Sequence, residues 1–326
     1  MTSTRPQILS LASAMLLVLA VPAGGAVQPY PNKPVRIVVP FSSGSSADTV
    51  ARIIANKLTE QLKRPLIVDA RPGGTGIIGV EIAKNASPDG YTLLLAGTAT
   101  FATLPALKPK LPYDPDKDFA VLTRIASVAN VVAVHPSLGV STVPEFVKLA
   151  KARPGDLNFG SFGNGSAGHL GGEMFNVLAG IKTVHIPYKG TGLALKDLIT
   201  GQLQFMVISP ALAMPAAKAG RIKVIATAGP SRDPLWPELP TVADVLPGFE
   251  VTLWWGVAVP AKTPSAIVKK LHAEIVKAEQ TPEVRAQLAK QGATPHAESP
   301  AEFTAFIKAE RQRLARVGHQ AGITFD

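Results

Sequence analysis

Residues 35–48 read VRIVVPFSSGSSAD, and this stretch decides the fold. Its first five residues are rich in β-branched side chains, which is typical of a buried parallel strand. The small polar loop that follows leads into Ala47–Leu62, where apolar residues recur at helical spacing. Because a helix N-terminus above a strand end presents free N–H groups, this order predicts an anion site. In the alternative interpretation, Ser45 or Ser46 only caps the helix, with Asp48 in its first turn.

The chain continues in the same alternation as far as residue 100. The predicted strands are Ile37–Val39, Leu66–Val68 and Tyr91–Ala96, and the predicted helices are Ala47–Leu62 and Gly79–Asn85. This β-α-β-α-β order implies a parallel, doubly wound sheet with its functional loops at the carboxyl ends of the strands. We therefore expect the loops Pro72–Gly76 and Gly97–Thr100 to share one rim with Phe41–Asp48.

A second series of strands and helices follows, and we expect Val121–Ile125 and Val131–Val134 to form one long strand that crosses into a second lobe. Proline-rich connections are predicted at Leu104–Phe119 and Pro230–Pro247. The predicted strands are Val121–Ile125, Val131–Val134, Leu157–Phe162, Val184–Tyr188, Phe205–Ile208, Arg221–Thr227 and Val251–Val259. The predicted helices are Val143–Ala152, His169–Leu178, Leu193–Thr200, Pro264–Glu279 and Pro300–Val317, the last two being the long helices that close the chain.

The composition is that of a globular protein with an ample core, at 46 % hydrophobic and 17 % charged residues. Lysine and arginine exceed the acids by ten, but the excess is dispersed and lacks a dense basic run with interleaved aromatics, so nucleic-acid binding is not supported. The chain has no cysteine, which excludes disulfides, thiolate metal sites, a cysteine nucleophile and a lipoprotein anchor.

The first 26 residues have the pattern of a secretory signal peptide. Arg5 precedes an apolar run from Ile8 to Val21, and small residues follow. Ala26 is the expected cleavage point, with Ala23 as the alternative. The run is shorter than the ~20 residues that span a bilayer, and no later stretch qualifies. We therefore predict an exported protein whose net charge falls from +10 to +9, because only one arginine and no acid is removed.

The stretch GNGSAG at residues 163–168 matches G-x-G-x-x-G between a predicted strand and a predicted helix. A dinucleotide site would need an acidic residue about 20 positions further on, and the sequence there is Tyr188-Lys189-Gly190. A nucleophile elbow at Ser166 is also excluded, since G-x-S-x-G requires glycine where the chain has Asn164. The glycines are better interpreted as allowing the backbone to approach a small anion.

No catalytic constellation, metal site or cofactor site is predicted. The six histidines are scattered without a histidine or acid at metal-ligand spacing, and no pair of carboxylates is placed for acid–base work. His169 is the exception to watch, since it opens a helix beside the glycine-rich stretch. Two anion loops in two lobes, Phe41–Asp48 and Gly163–His169, without catalysts between them, are the design of a receptor that closes on a solute.

The chain resembles the Bug-type receptors, the solute-binding proteins of tripartite tricarboxylate transporters. The first lobe carries Tyr30-Pro31-Asn32-Lys33-Pro34 with Pro40-Phe41, Arg71-Pro72-Gly73-Gly74, and Pro88-Asp89-Gly90-Tyr91-Thr92-Leu93-Leu94. The middle carries Leu111-Pro112-Tyr113-Asp114-Pro115, Lys117-Asp118-Phe119, Asn164-Gly165-Ser166 with His169-Leu170, and His185-Ile186-Pro187-Tyr188-Lys189-Gly190. Leu239-Pro240-Thr241-Val242 and Pro247-Gly248-Phe249-Glu250 match the return to the first lobe, so the similarity covers essentially the whole mature chain.

The resemblance implies a periplasmic-binding-protein type II fold, with two doubly wound α/β lobes around a ligand cleft. Lobe I would be residues 27–126 with 251–326, and lobe II residues 127–250. It also implies a periplasmic, monomeric, non-enzymatic receptor that holds a carboxylate through backbone amides and ordered water and delivers it to membrane permease subunits. A sensor subunit or an exported enzyme using the same cleft are the alternatives.

The chain departs from the family pattern at three places. Pro40-Phe41-Ser42-Ser43-Gly44-Ser45 stands where Pro-Phe-Pro-Pro-Gly-Gly is usual, Ile77 replaces a common asparagine, and Ile208-Ser209 replaces a frequent Asp-Asn. An ammonium group would then lack an acidic partner, which favours a dicarboxylate or an aromatic carboxylate without an amine. The predicted ligand-binding residues are Phe41, Ser42, Ser43, Ser46, Asp48, Thr98, Asn164, Ser166, Ala167, His169, Ile208 and Ser209. Replacing Ser166 or Ser42 by alanine is expected to weaken binding and leave stability nearly unchanged.

Overall fold

The computed structural model describes residues 1–2, 30–233, 235–320 and 322–323. Both predicted cleavage points, and all of the predicted signal peptide except its first two residues, lie outside the described residues. The strands are β1 Val35–Val39, β2 Leu66–Ala70, β3 Thr92–Gly97, β4 Phe119–Ala129, β5 Val131–Val134, β6 Asn158–Ser161, β7 Val184–Pro187, β8 Phe205–Ile208, β9 Lys223–Thr227, β10 Thr252–Pro260 and β11 Thr294–Pro295. The helices are α1 Ser46–Leu62, α2 Ile77–Lys84, α3 Leu104–Leu107, α4 Pro115–Asp118, α5 Val143–Ala152, α6 Ala167–Ala179, α7 Thr191–Ile199, α8 Pro210–Lys218, α9 Ser265–Glu279, α10 Pro282–Ala289 and α11 Pro300–Gln320. None of these helices combines the length and the apolar character that crossing a membrane requires.

The first sheet has the strand order β11-β4-β10-β3-β1-β2. Its half built from the start of the chain is parallel, since β1 pairs in parallel with both β2 and β3. Its other half is antiparallel, because β10 returns from far along the chain to lie between β3 and β4. The sheet therefore draws its strands from both ends of the sequence, and the carboxyl ends of β1, β2 and β3 share one rim as predicted.

The second sheet has the strand order β7-β6-β8-β5-β9, and all of its strands come from the middle of the chain. Here β6 is parallel to β7 and β8, while β5 is antiparallel to β8 and β9. Helices α5 and α6 cover it through a buried aromatic cluster, in which the rings of Phe146 and Phe205 lie 4.8 Å apart. Two separate α/β sheets confirm the predicted fold class. The residue limits given for the two lobes stay a prediction.

Three chain segments pass between the sheets side by side. Asn130 is the single residue between β4 and β5, so the predicted crossing strand is two strands in the structure. Its N–H donates to the carbonyl of Val251 at 2.9 Å, and its own carbonyl accepts from the N–H of Ala228 at 2.7 Å. The N–H of Val251 donates to the carbonyl of Ala228, also at 2.7 Å. These backbone hydrogen bonds tie the three crossing segments together.

Some predicted connections contain helices. The segment Leu104–Phe119, predicted to be irregular, includes α3 and α4, and the predicted loop Gly97–Thr100 is the start of a π-helical turn at Thr98–Thr103. Helices α8 and α10 were not predicted. Both begin with proline at the first helical position, where a missing N–H costs nothing, so proline marks their starts and not the absence of a helix.

Candidate functional site

The loop Phe41–Asp48, which we name the serine loop, includes the first three residues of α1. Ser45 is the N-cap, and its hydroxyl accepts the N–H of Asp48 at 3.3 Å. Asp48 accepts in return from the N–H of Gly44 at 3.0 Å, and Gly44 has φ +77°, a conformation that favours glycine. The capping interpretation is therefore correct for Ser45, and the hydroxyl of Ser46 is left for contacts beyond the helix.

Asp48 is only 3 % exposed, and its two carboxylate oxygens differ in their surroundings. Oδ2 accepts from Gly44 and also from Nε of Arg52 at 2.9 Å, and this hydrogen bond raises the pKa of the Arg52 guanidinium. Oδ1 is buried and has no hydrogen-bond partner among the described residues. The negative charge is thus compensated within α1, while one acceptor atom remains available to a donor from outside the helix.

Residues 163–168, which we name the glycine loop, include the first two residues of α6. Ser166 is fully buried and caps the helix, because its hydroxyl accepts the N–H of His169 at 3.3 Å. The first-turn amides of Ala167 and Gly168 have no intrahelical acceptor. A side chain on Gly168 would place its Cβ 3.1 Å from the carbonyl oxygen of Val207, so glycine lets α6 approach β8 closely. Two amides of a capped helix are thus presented at the end of β6.

The N-terminus of α8 supplies a third helix end, which the sequence prediction missed. Ser209 holds the N-cap position at the end of β8, yet its side chain makes no capping hydrogen bond. Its hydroxyl oxygen instead accepts from the hydroxyl of Ser46 at 2.9 Å. Ile208, the last residue of β8, is buried beside it. The helix ends of α1 and α8 are therefore in direct contact, although 163 residues separate the two serines.

Two more contacts join loops of the first sheet to loops of the second. The hydroxyl of Thr75 donates to the carbonyl oxygen of Asn164 at 2.7 Å. The rings of Phe41 and Phe162 meet edge to face, with centroids 6.2 Å apart. Thr75 has φ +53°, which is strained for a β-branched residue, and such strain is concentrated at functional sites. The sequence located the loop that contains Thr75 but gave no signal for this contact.

The remaining predicted residues lie near these loops in different roles. Ser42 and Ser43 belong to the turn before α1, where the carbonyl of Ser42 accepts from the N–H of Ser45 at 3.2 Å. Thr98 is buried, and its hydroxyl accepts from the N–H of Trp254 at 2.8 Å and lies 3.4 Å from the carbonyl oxygen of the same residue. Thr98 therefore fixes β10 beside the end of β3.

His169 packs beneath the glycine loop, against His185 of β7. Its Nδ1 accepts the N–H of Gly165 at 3.2 Å, and its ring stacks on His185 with centroids 3.9 Å apart. Burial lowers the pKa of His169 to about 4 and that of His185 likewise to about 4. Both imidazoles are consequently neutral at neutral pH. A direct ligand contact by His169 stays a prediction.

The structure gives a physical reason to expect that Ser166→Ala lowers stability, contrary to the sequence-based prediction that stability stays nearly unchanged. The structure makes Ser166 the N-cap of α6, and loss of a serine cap costs about 0.5–2 kcal/mol. The change would therefore alter stability and the ligand site together.

Two cavities lie away from these loops, and none of the twelve predicted ligand-binding residues lines either of them. One has a volume of about 270 Å³ and lies between β4, β10 and α11, with Arg124 and Trp254 in its wall. The other, of about 530 Å³, lies between α6 and α11, with Val177 and Arg316 in its wall. The serine loop instead contacts Ser209 and Phe162, and the glycine loop contacts Thr75.

Comparison with known protein families identifies the family of this chain. The family model described as "Tripartite tricarboxylate transporter family receptor" matches residues 50–323. The chain belongs to this family of solute-binding receptors. The predicted membership of the Bug-type, TctC-like receptors is therefore confirmed, and the motifs at Tyr30–Pro34, His185–Gly190 and Pro247–Glu250 were sufficient signals for it.

Individual relatives match along nearly their whole length. BugT of Bordetella pertussis is 31 % identical over 318 residues, which are 97 % of this chain and 98 % of BugT. The structure of R. palustris Rpa4515 with adipate has a TM-score of 0.87 and 32 % identity, and the match covers 90 % of this chain and 99 % of that one. MatC (Rpa3494) from Rhodopseudomonas palustris with bound malate has a TM-score of 0.81 and 31 % identity, and the match covers 88 % and 99 % of the two chains.

Proposed function

We propose that this receptor is exported to the periplasm, binds a small organic carboxylate between its two lobes without chemical change, and delivers it to the membrane permease subunits of a tripartite transporter. The observation that carries the proposal is the hydrogen bond between Ser46 and Ser209 at 2.9 Å. It brings the N-termini of α1 and α8 together at the opening between the two sheets. We name this opening, lined by Ser46, Thr75, Asn164 and Ser209, the mouth. The contact of Thr75 with Asn164 adds the N-terminus of α6 to the same mouth.

The charge of the ligand follows from these helix ends. Each helix N-terminus carries roughly half a positive charge, and its first-turn amides hold carboxylates without a cationic side chain. Helices α1, α6 and α8 have 17, 13 and 9 residues, so each is long enough to present such a terminus. Asp48 does not cancel this positive potential, because Arg52 is paired with it. An organic anion is the ligand class that this arrangement favours.

The shape of the ligand follows from the apolar walls. Phe41 and Phe162 would form one apolar wall of the site, and Ile208 ends β8 next to Ser209, with its side chain in the core of the second sheet. A ligand with carboxylates at its ends and an apolar middle fits both features, and relatives with adipate and malate bound support a dicarboxylate. An aromatic carboxylate, stacked against the phenylalanine pair, is the second ligand class that the walls favour.

A thermal-shift screen over organic acids tests the proposal. A ligand that binds only the folded state raises the melting temperature with concentration, so dicarboxylates such as adipate and malate should do so and neutral sugars should not. Incubation of the same acids with the protein should return them unchanged, which separates a receptor from an enzyme. Stabilisation by sugars or cations with no response to any acid would contradict the proposed ligand class.

Delivery to a permease needs a separate experiment. Vesicles that contain the permease subunits should accumulate the labelled acid only when the purified receptor is added. A receptor that binds the acid and leaves uptake unchanged would argue for sensing instead of transport.

A further inference from the structure

The glycine loop rests on a stack of three aromatic rings. The His169 ring lies 3.9 Å from the His185 ring, and the His185 ring lies 4.9 Å from that of Phe159, measured between centroids. Above the stack, Nδ1 of His169 accepts the N–H of Gly165 at 3.2 Å. Beside it, the hydroxyl of Ser161 contacts Nε2 of His185 at 2.7 Å. One imidazole is thus bonded to the loop directly and the other through a serine.

The Ser161 hydroxyl completes the support of the loop. It lies 3.1 Å from the N–H of Gly163, which donates to it, and 3.1 Å from the carbonyl oxygen of the same residue. Gly163 and Gly165 have φ values of +123° and +80°, both in the region that favours glycine. Since glycines lose more conformational freedom on ordering than other residues, the loop needs such external bonds to keep one shape.

The proton on His169 is assigned by this geometry. An amide N–H can donate only to a ring nitrogen that carries a lone pair, so Nδ1 is unprotonated and the neutral ring carries its proton on Nε2. That nitrogen lies 3.8 Å from Oε1 of Glu173, one turn further along α6. This acid four residues after the histidine was overlooked in the sequence; the described residues contain no group of three or more side chains that could hold a metal ion. His185 faces the flat side of the ring, so a second positive charge in the stack would be repelled.

We propose that His169 is a positioning residue, whose Nδ1 fixes the Gly165 amide and thereby the shape of the loop that presents Asn164 and Ser166. The inference rests on the proposed function, because the loop is one side of the carboxylate site. A loop that is already ordered binds its ligand with a smaller entropic cost than one that must be ordered on binding. The carbonyl of Asn164 also accepts from Thr75, so the same shape sets the contact across the mouth.

Two variants that both lack the imidazole ring distinguish this positioning role of His169 from a role in packing alone. In His169→Asn the side-chain oxygen can take the place of Nδ1, whereas in His169→Gln it can take the place of Nε2. Both variants remove the stack on His185 and should lower the melting temperature by similar amounts. With malate or adipate as the probe, whichever stabilises the unmodified protein, we expect Asn to stay within about threefold of the wild-type affinity and Gln to lose roughly tenfold, a difference of about 1.4 kcal/mol in binding. Equal losses in the two variants, or none in either, would overturn the proposal.

A ligand-free readout keeps the inference separate from the proposed function. Hydrogen exchange of the Gly165 amide should be slow in the wild type and in His169→Asn and fast in His169→Gln, whether or not any acid binds. If the variants do not fold, the 15N shifts of the His169 ring in the unmodified protein decide the matter. They should show the proton on Nε2, and a proton on Nδ1 would overturn the inference while leaving the carboxylate proposal standing.

Discussion

The hydrogen bond between Ser46 and Ser209 is open to a double-mutant cycle whose asymmetry the structure predicts. Ser209 is 5 % exposed, so Ser46→Ala leaves a buried hydroxyl without its partner, which costs about 1–3 kcal/mol. Ser46 is half-buried, so water can replace its lost partner in Ser209→Ala and the cost should be near 0.5–1 kcal/mol. Because the bond joins the start of α1 to the end of β8, we expect its loss to penalise the arrangement in which the proposed ligand is held.

Isothermal titration with the acid found in the thermal-shift screen measures all four proteins of the cycle. Ser46→Ala should weaken binding by a factor of about 5 to 150 and Ser209→Ala by about 2 to 5. The double variant should lose less than the product of the two factors, since it leaves no unpaired hydroxyl. A control cycle that combines Ser46→Ala with Ser231→Ala, on the loop after β9, should give additive effects. Equal single losses, or a coupling no larger than in the control, would refute the reasoning.

The remaining predictions concern the cap, the buried titratable groups and the ligand. Ser166→Ala should lower the free energy of unfolding by about 0.5–2 kcal/mol in urea, and Ser166→Thr, which keeps a capping hydroxyl, should lose less. Burial raises the pKa of Glu279 to about 9, so the group is protonated when folded and ionised when unfolded between about pH 4.5 and 9. Stability should therefore fall as pH rises through that window, and Glu279→Gln should remove this slope. The lowered pKa values of His169 and His185, about 4 each, have the opposite effect on stability, because unfolding takes up protons at these groups. Stability should therefore be lost as pH falls from about 6.5 towards 4, which acid unfolding curves will test. Succinate should bind more tightly than aspartate in a calorimetric titration, and tighter binding of aspartate would show that an ammonium group is accommodated.

The sequence predicted the strand–loop–helix units well because each is a local pattern. The order of a short strand, a small polar loop and an apolar helical spacing located α1 and α6 to within two residues of their starts. Helix α8 was not predicted; it begins with Pro210 at the first helical position and contains Pro215 in its interior, where proline is unusual. Its N-cap residue, Ser209, was nevertheless among the predicted site residues, through the resemblance and not through the helix.

The contacts across the mouth could not be predicted from sequence patterns, because their partners are far apart in the chain. Ser46 with Ser209 and Thr75 with Asn164 are separated by 163 and 89 residues, and nothing in the local spacing of either partner records the other. The role of His169 has the same origin. Its position after the glycine loop was visible, but only the fold shows that Nδ1 faces back to Gly165 and that the ring lies on His185.

Some polar groups of the site bond to other parts of the protein, and others are left for the proposed ligand. The hydroxyls of Ser46 and Ser209 are bonded to each other, that of Ser166 caps α6, and the charge of Asp48 is matched by Arg52. In the proposed site, the backbone N–H groups at the helix ends hold the anion. A carboxylate paired with an arginine would require both charges to be desolvated when the lobes close. Neutral amides carry a smaller desolvation cost, which suits the proposed receptor, because it would have to release its cargo to a permease when the lobes part.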